Sequence, residues 1–268
     1  MNPYIRLPRV PLVHSRQTLI LTKSTGKRVL HLGCVDAGLL HERFQRRELL
    51  HQKLADVAHE LWGVDVDAEG IAFLRSKGFD HLIQGDICEL DKIQALQGQQ
   101  FDIVVASEVM EHLQNPGLFL QAARTLMIPG HTELIITIPN AFRIDTLLWL
   151  LRGVEFVHPD HNYWFSYHTA TNLVRKNGFA VSEVYVYSFQ SAGLLPGRVA
   201  KFFHRAGDDK IRPRQTATVS STPRPFLRRV TSYARSLPKR LVVSGLYRTT
   251  PFWGDGIIIV AQRDENEQ

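Results

Sequence analysis

Short apolar runs alternate with stretches of helical periodicity along most of this chain. Residues 29–32, 61–64, 81–83, 101–106 and 133–138 read as strands, and none is long enough to be a helix by itself. Between the first two runs, Leu39, Leu40, Phe44, Leu49, Leu50, Leu54, Val57 and Ala58 supply one apolar face over an unusually long stretch, which predicts a helix broken near Arg47. Residues 68–77 form a predicted helix closed by Gly78, and residues 116–127 a helix with Pro116 in its first turn. Residues 169–176 make a further helix, stopped at Asn177-Gly178, before an alternating strand over 180–189 and a last strand over 255–261. Strand and helix in alternation predict an α/β fold with a mostly parallel, doubly wound sheet.

Residues 1–28 lie ahead of this pattern as a proline-broken arm followed by a short helix from about Ser15. The organisation expected is an arm over 1–28, a core over 29–189, a separate segment over 190–254 and a last core strand with tail over 255–268. Its opening, MNPYIRLPRVPLVHSR, has three prolines and no apolar stretch of the kind a secretory signal needs. No apolar run reaches bilayer length. At 268 residues, with 44% hydrophobic and 22% charged residues, the chain can bury a full core in one large domain or one domain plus an appendage. Two cysteines, Cys34 and Cys88, fit a reduced cytoplasmic protein.

Charge becomes informative once it is mapped. Residues 190–254 contain thirteen Lys and Arg against Asp208 and Asp209, a net of +11, so the rest of the chain carries −5 of the overall +6. The same segment interleaves Leu, Val, Phe and Tyr with its basic residues. We favour an anionic membrane surface or a lipid-linked substrate as its partner, which would place the protein at the inner face of a membrane. A solvated lid and a phosphate-rich polymer such as RNA are the alternatives, nucleic acid being the least favoured.

Four segments carry candidate chemistry. VLHLGCVDAG, residues 29–38, runs an apolar strand straight into Gly33. LWGVDVD, residues 61–67, ends its strand at Asp65, suited to bond both hydroxyls of a ribose. QGDI, residues 84–87, and FDIVVASEVMEHL, residues 101–113, follow in order. On these segments the chain resembles the class I S-adenosylmethionine-dependent methyltransferases, within the group of ubiquinone-type and glycan-cluster small-molecule enzymes. The resemblance covers about residues 26–189 and the last strand. It implies a Rossmann-like seven-stranded sheet with an antiparallel last strand, and S-adenosyl-L-methionine as cofactor. By the same resemblance, His31, Gly33, Cys34 and Asp36 fall at the methionine end of the cofactor, Asp65 at the ribose, Val66, Asp86 and Ile87 at the adenine, and Ser107 to His112 at the sulfonium. The loop departs from the family's usual acid and three glycines, with His31 for the acid, Val35 for the second glycine and Ala37 for the third. A β-branched residue is strained at positive φ, so Gly38 is expected to supply the turn by another path.

Transfer to a hydroxyl acceptor calls for a base near neutral pH, and histidine is suited to it. His112, His158, His161 and His168 lie in segments expected to face the cofactor, with His161 and His112 as the candidate bases. The run over 157–166, with His158, Asp160, Tyr163 and Trp164, reads as an acceptor pocket with an apolar wall, or as a structural loop capped by Asp160. The similar glycan-cluster enzymes often carry a DH followed by WFS here. No metal is expected, because His158, Asp160 and His161 lack a second ligand motif. His41 and His51 read as partly exposed. The function expected is S-adenosylmethionine-dependent O-methylation of a small-molecule or sugar acceptor, lipid-linked ones included. An RNA-modifying methyltransferase docking through the basic segment, and a non-catalytic protein with a degenerate cofactor loop, are the alternatives.

Overall fold

The computed structural model describes residues 4–188 and 250–265, so the basic segment lies outside the described residues except at 250–254. In chain order the elements are β1 (Leu12–Val13), α1 (Arg16–Ser24), β2 (Arg28–Leu32), α2 (Leu40–Gln45), α3 (Leu50–Ala55), β3 (Glu60–Asp65), α4 (Ala68–Ser76), β4 (Leu82–Gln84), β5 (Ile103–Ser107), α5 (Pro116–Thr125), β6 (Glu133–Pro139), α6 (Ile144–Leu150), α7 (Tyr167–Lys176), β7 (Phe179–Tyr187) and β8 (Gly256–Arg263). One sheet runs β1-β7-β8-β6-β5-β2-β3-β4. Only β8 is antiparallel to its neighbours, β6 and β7. The seven expected strands are joined by an eighth, since Leu12–Val13 pairs in parallel with Val186 and Tyr187 at the sheet edge. Two residues directly after Pro11 give no pattern to read, and a proline beside a strand suits an edge position.

The central strands are buried on both faces, which is why they read as apolar runs rather than alternating ones. Along β5, Val104 and Ala106 join Leu30, Leu32, Val64, Phe119 and Ile136 in one core layer, while Ile103 and Val105 join Ile20, Val29, Leu54 and Ile258 in the other. Ile20 of α1 is fully buried, so the arm is packed into the second layer. Local signals place the helices. Ser15, Asp67 and Asn115 each cap a helix by accepting a backbone N–H, and Ser166 with Thr169 forms a reciprocal capping box. The expected break in the long helix falls between α2 and α3, where Arg47 takes a φ of 53°. The third strand begins at Leu82 and not His81, because His81 sits at φ 52°, outside strand geometry.

His51 corrects the sequence reading. It is fully buried in α3, and its Nδ1 lies 3.2 Å from Nδ1 of His31 on β2, the rings stacked 5.4 Å apart. One of the two nitrogens must donate and the other accept, so the two rings cannot both be protonated. Burial holds His51 down to about 3, and burial with the neighbouring His51 holds His31 well below the usual histidine range.

Candidate active site

Strand order reverses at β2, which has β3 on one side and β5 on the other, and the crevice outside the carboxyl ends of these strands is where such sheets bind ligands. The loop after β2 is fitted closely into it. Gly33 takes a φ of 69°, and a Cβ there would lie 2.5 Å from Cγ2 of Val109 in the loop after β5. Gly38 takes a φ of 78°, while Val35 and Ala37 have ordinary backbone angles. Val35 instead turns its side chain onto the first turn of α4, where a Cβ on Gly70 would stand 2.2 Å from Cγ1 of Val35. Val35 is thus accommodated by the missing side chain of Gly70, and Gly38 supplies the left-handed turn.

Asp65 is buried at the end of β3. Its Oδ2 accepts from the N–H of Val35 at 2.8 Å, and its Oδ1 from the N–H of Asp67 at 3.0 Å. Burial raises its pKa above the ordinary carboxylate value despite these bonds. Each oxygen retains a lone pair, so the group can still accept from a diol while tying the loop to the strand. Asp65→Ala is expected to weaken cofactor binding at least tenfold, about 1.5 to 3 kcal/mol for a charged acceptor. It should also lower the unfolding midpoint, because two backbone donors lose their partner. Calorimetric titration and a thermal melt measure the two effects separately, and unchanged affinity in a folded variant would contradict the assignment.

Beyond Asp65 a cleft of about 710 Å³ opens, lined among others by Val66, Asp86, Cys88, His112, Leu113 and Gln114. Val66 is 64% exposed, an apolar plate left uncovered beside the exposed Asp86, whose Oδ1 accepts from the N–H of Cys88 at 2.8 Å. An apolar wall with a carboxylate at its edge, in a cleft of this size, suits a nucleoside. Other expected contacts are less accessible. His31 is 3% exposed and paired with His51, so its surface is not available to a ligand. Cys34 and Ile87 are buried as packing residues, and burial first, then Asp65, pushes the Cys34 thiol far up. Asp36 is half-buried and ion-paired with Arg43.

The loop after β5 holds a network that the sequence reading did not single out. Ser107 Oγ lies 2.9 Å from Thr137 Oγ1, and Glu108 Oε1 accepts from Thr137 at 2.9 Å and from the Tyr187 hydroxyl at 3.0 Å. Arg16 stands 3.4 Å from Glu108 Oε2. These partners hold Glu108 at a φ of 57°, an uncommon conformation for a residue with a side chain. Glu111 is 1% exposed with neither carboxyl oxygen hydrogen-bonded among the described residues. Burial, then the charge of Glu108, raises its pKa far above the carboxylate range, so it is held protonated at neutral pH.

The acceptor loop is tied to this network through Asn162. Its N–H donates to the Glu111 carbonyl at 2.8 Å and its Nδ2 to the His112 carbonyl at 2.7 Å, while the Tyr163 hydroxyl donates to the Gln114 carbonyl at 2.9 Å. The tether brings His112 and His161 edge to face at 4.6 Å, with His158 5.3 Å from His161. Asp160 is exposed beside His158, Trp164 donates to Glu155, and His168 is exposed on α7. Burial, then His112 and His158, lowers the pKa of His161, so the imidazole is the neutral, proton-accepting form at pH 7. One nitrogen from each of His112, His158 and His161 lies within 4.8 Å of the others, so His112 supplies the second segment that the metal argument lacked, and the three could hold a divalent ion.

A doubly wound sheet with a glycine turn, an acid ending β3 and a cleft at the carboxyl ends of its strands fits the S-adenosylmethionine-dependent methyltransferase class. The chain belongs to the methyltransferase domain family, which matches residues 7–184. It is 30% identical to mitochondrial ubiquinone biosynthesis O-methyltransferase of Mus musculus over 215 residues, 73% of this chain and 52% of that one. It is 27% identical to ubiquinone biosynthesis O-methyltransferase of Paraburkholderia phymatum over 135 residues, 50% of this chain and 53% of that one. The chain thus spans about half the length of the curated relatives it matches. A crystal structure of a SAM-dependent methyltransferase from Archaeoglobus fulgidus shares the fold, with a TM-score of 0.51 at 16% identity over 92% of this chain and 91% of that one. The cofactor of the class is S-adenosylmethionine.

Proposed function

We propose that this chain methylates a hydroxyl oxygen of a small-molecule or sugar acceptor, lipid-linked acceptors included. The observation that carries the reading is the neutral His161 imidazole, packed on His112 at the cleft and tethered through Asn162 to the loop after β5. When bound, S-adenosylmethionine supplies a methyl group already activated by its sulfonium charge, so the protein has chiefly to align the acceptor and receive a proton. Gly33, Asp65, Val66 and Asp86 hold the cofactor, with Ser107 nearby on the β5 loop. His161 takes the proton of the acceptor hydroxyl as its oxygen gains the methyl group. His112 packs against that ring and sets its orientation. His158, Asp160, Tyr163 and Trp164 form the surrounding acceptor wall. The names of the curated relatives, which specify O-methyltransferases, support oxygen as the acceptor atom.

Incubating the protein with methyl-labelled cofactor and a fractionated metabolite extract tests this reading. The expected label lies in a methyl ether, stable to alkali that hydrolyses methyl esters. Label recovered on nitrogen or in RNA would overturn it.

A further inference from the structure

Three histidines from two separated segments meet at the rim of the cleft that His112 lines. The backbone fixes their places. The N–H of His161 donates to the His158 carbonyl at 3.1 Å, which keeps these two in one turn, and Asn162, next in the chain, bonds to the His112 carbonyl at 2.7 Å. The ring centroids of His112 and His161, His158 and His161, and His112 and His158 are 4.6, 5.3 and 5.8 Å apart. Ring packing alone accounts for such spacings, but it does not require one nitrogen of each ring to gather within 4.8 Å of the other two, as they do here.

Three imidazoles on a tetrahedral ion, with bonds of about 2.05 Å, place their centroids about 5.2 Å apart and their nitrogens about 3.3 Å apart. The observed centroid distances straddle the first value, so the rings need chiefly to turn to reach the second, and those of His112 and His158 are exposed. Asp160 offers His158 Nδ1 both its N–H, at 3.3 Å, and its carboxylate, at 3.7 Å, so either tautomer of that ring has a partner and either nitrogen can be left for an ion. Glu108 is engaged by Thr137 and Tyr187, and Glu111 is buried, so neither carboxylate joins the set. Imidazole donors without carboxylates suit zinc-class transition ions and not magnesium or calcium, which take oxygen.

We propose that His112, His158 and His161 bind one zinc-class divalent ion, leaving its fourth position to water. A neutral imidazole has one ring lone pair, so the ion and the acceptor proton compete for His161. This competition rests on the proposed role of His161 as base, whereas the site itself does not.

The intact protein, free of any affinity tag and stripped with a chelator that is then removed, is titrated calorimetrically with zinc chloride and, in parallel, with magnesium chloride. Expected is one saturable zinc site per chain, no magnesium binding at the same concentrations, and a zinc affinity lowered by more than about tenfold in His158→Gln. That side chain is exposed, so the variant should keep the wild-type melting temperature. His168→Gln, which changes an exposed histidine outside the cluster, should bind zinc as the wild type does. Absence of a one-to-one zinc site, equal binding of magnesium, or wild-type zinc affinity in His158→Gln would overturn the site. In the labelled-extract assay, one equivalent of zinc should stop methyl transfer and chelation restore it. Transfer that continues with the site filled would overturn the competition, and with it the base role of His161, while the binding isotherm stands.

Discussion

Substituting His161 with Gln is expected to lower kcat about a hundredfold or more and to leave cofactor affinity nearly unchanged. Gln keeps the size and a hydrogen-bonding end but cannot take a proton near neutral pH. The Asn162 and Tyr163 tethers do not involve the His161 side chain, so the loop should keep its place. The pH dependence gives a second readout. Burial and the neighbouring histidines lower the pKa of His161, so the basic form persists below pH 6.5 and the acid limb of kcat should fall below that value. That limb should vanish in His161→Gln. A silent His161→Gln with a large loss in His112→Gln would transfer the base role to His112 and contradict the acceptor-loop account.

Stability should peak near pH 6.5 and fall on both sides. His31 and His51 are neutral in the folded protein far below the pH at which they charge in the unfolded chain. The unfolded state therefore binds more protons as pH drops below 6.5, and stability is lost there by up to about 1.4 kcal/mol per pH unit for each ring. Glu111 acts in the opposite sense. Its raised pKa makes the folded state the stronger proton binder above the unfolded carboxyl value of about 4.3, so its contribution is fully present below that value and is lost as pH rises. Two rings against one carboxyl leave a net loss of stability as pH falls from 6.5 toward 4.5. Urea unfolding midpoints across pH 4.5 to 8 measure this curve. His51→Leu should flatten its acid side, and an acid side as steep in that variant as in the wild type would remove the pair as the cause.

Local chemistry accounts for what was readable in the chain. Apolar runs over β2, β3, β5 and β6, the caps at Ser15 and Asp67 and the break near Arg47 each depend on neighbours a few residues away. Asp65 stood out as the acid that ends an apolar strand, whereas Val66 and Asp86 were marked only by the resemblance to the family. The pair of His31 and His51 was not, since the helical pattern marks Leu50 and Leu54 as apolar and leaves a histidine between them to read as half-exposed. Glu108 and Glu111 stood in a quoted segment, yet Glu108 is set by Arg16 and Tyr187, which only the folded sheet brings to the end of β5, and Glu111 by its burial beside Glu108. The cluster of His112, His158 and His161 likewise needs the Asn162 tether, which joins segments fifty residues apart.

The central claim is that the loop after β2, Asp65 and the cleft at Val66 and Asp86 together bind S-adenosylmethionine, and isothermal titration of the intact protein with S-adenosylhomocysteine tests it most directly. Saturable binding to one site per chain, weakened at least tenfold by Asp65→Ala, is the predicted result. A folded protein that gives no binding heat at any temperature tried, or one that binds with the same affinity after Asp65→Ala, would contradict it.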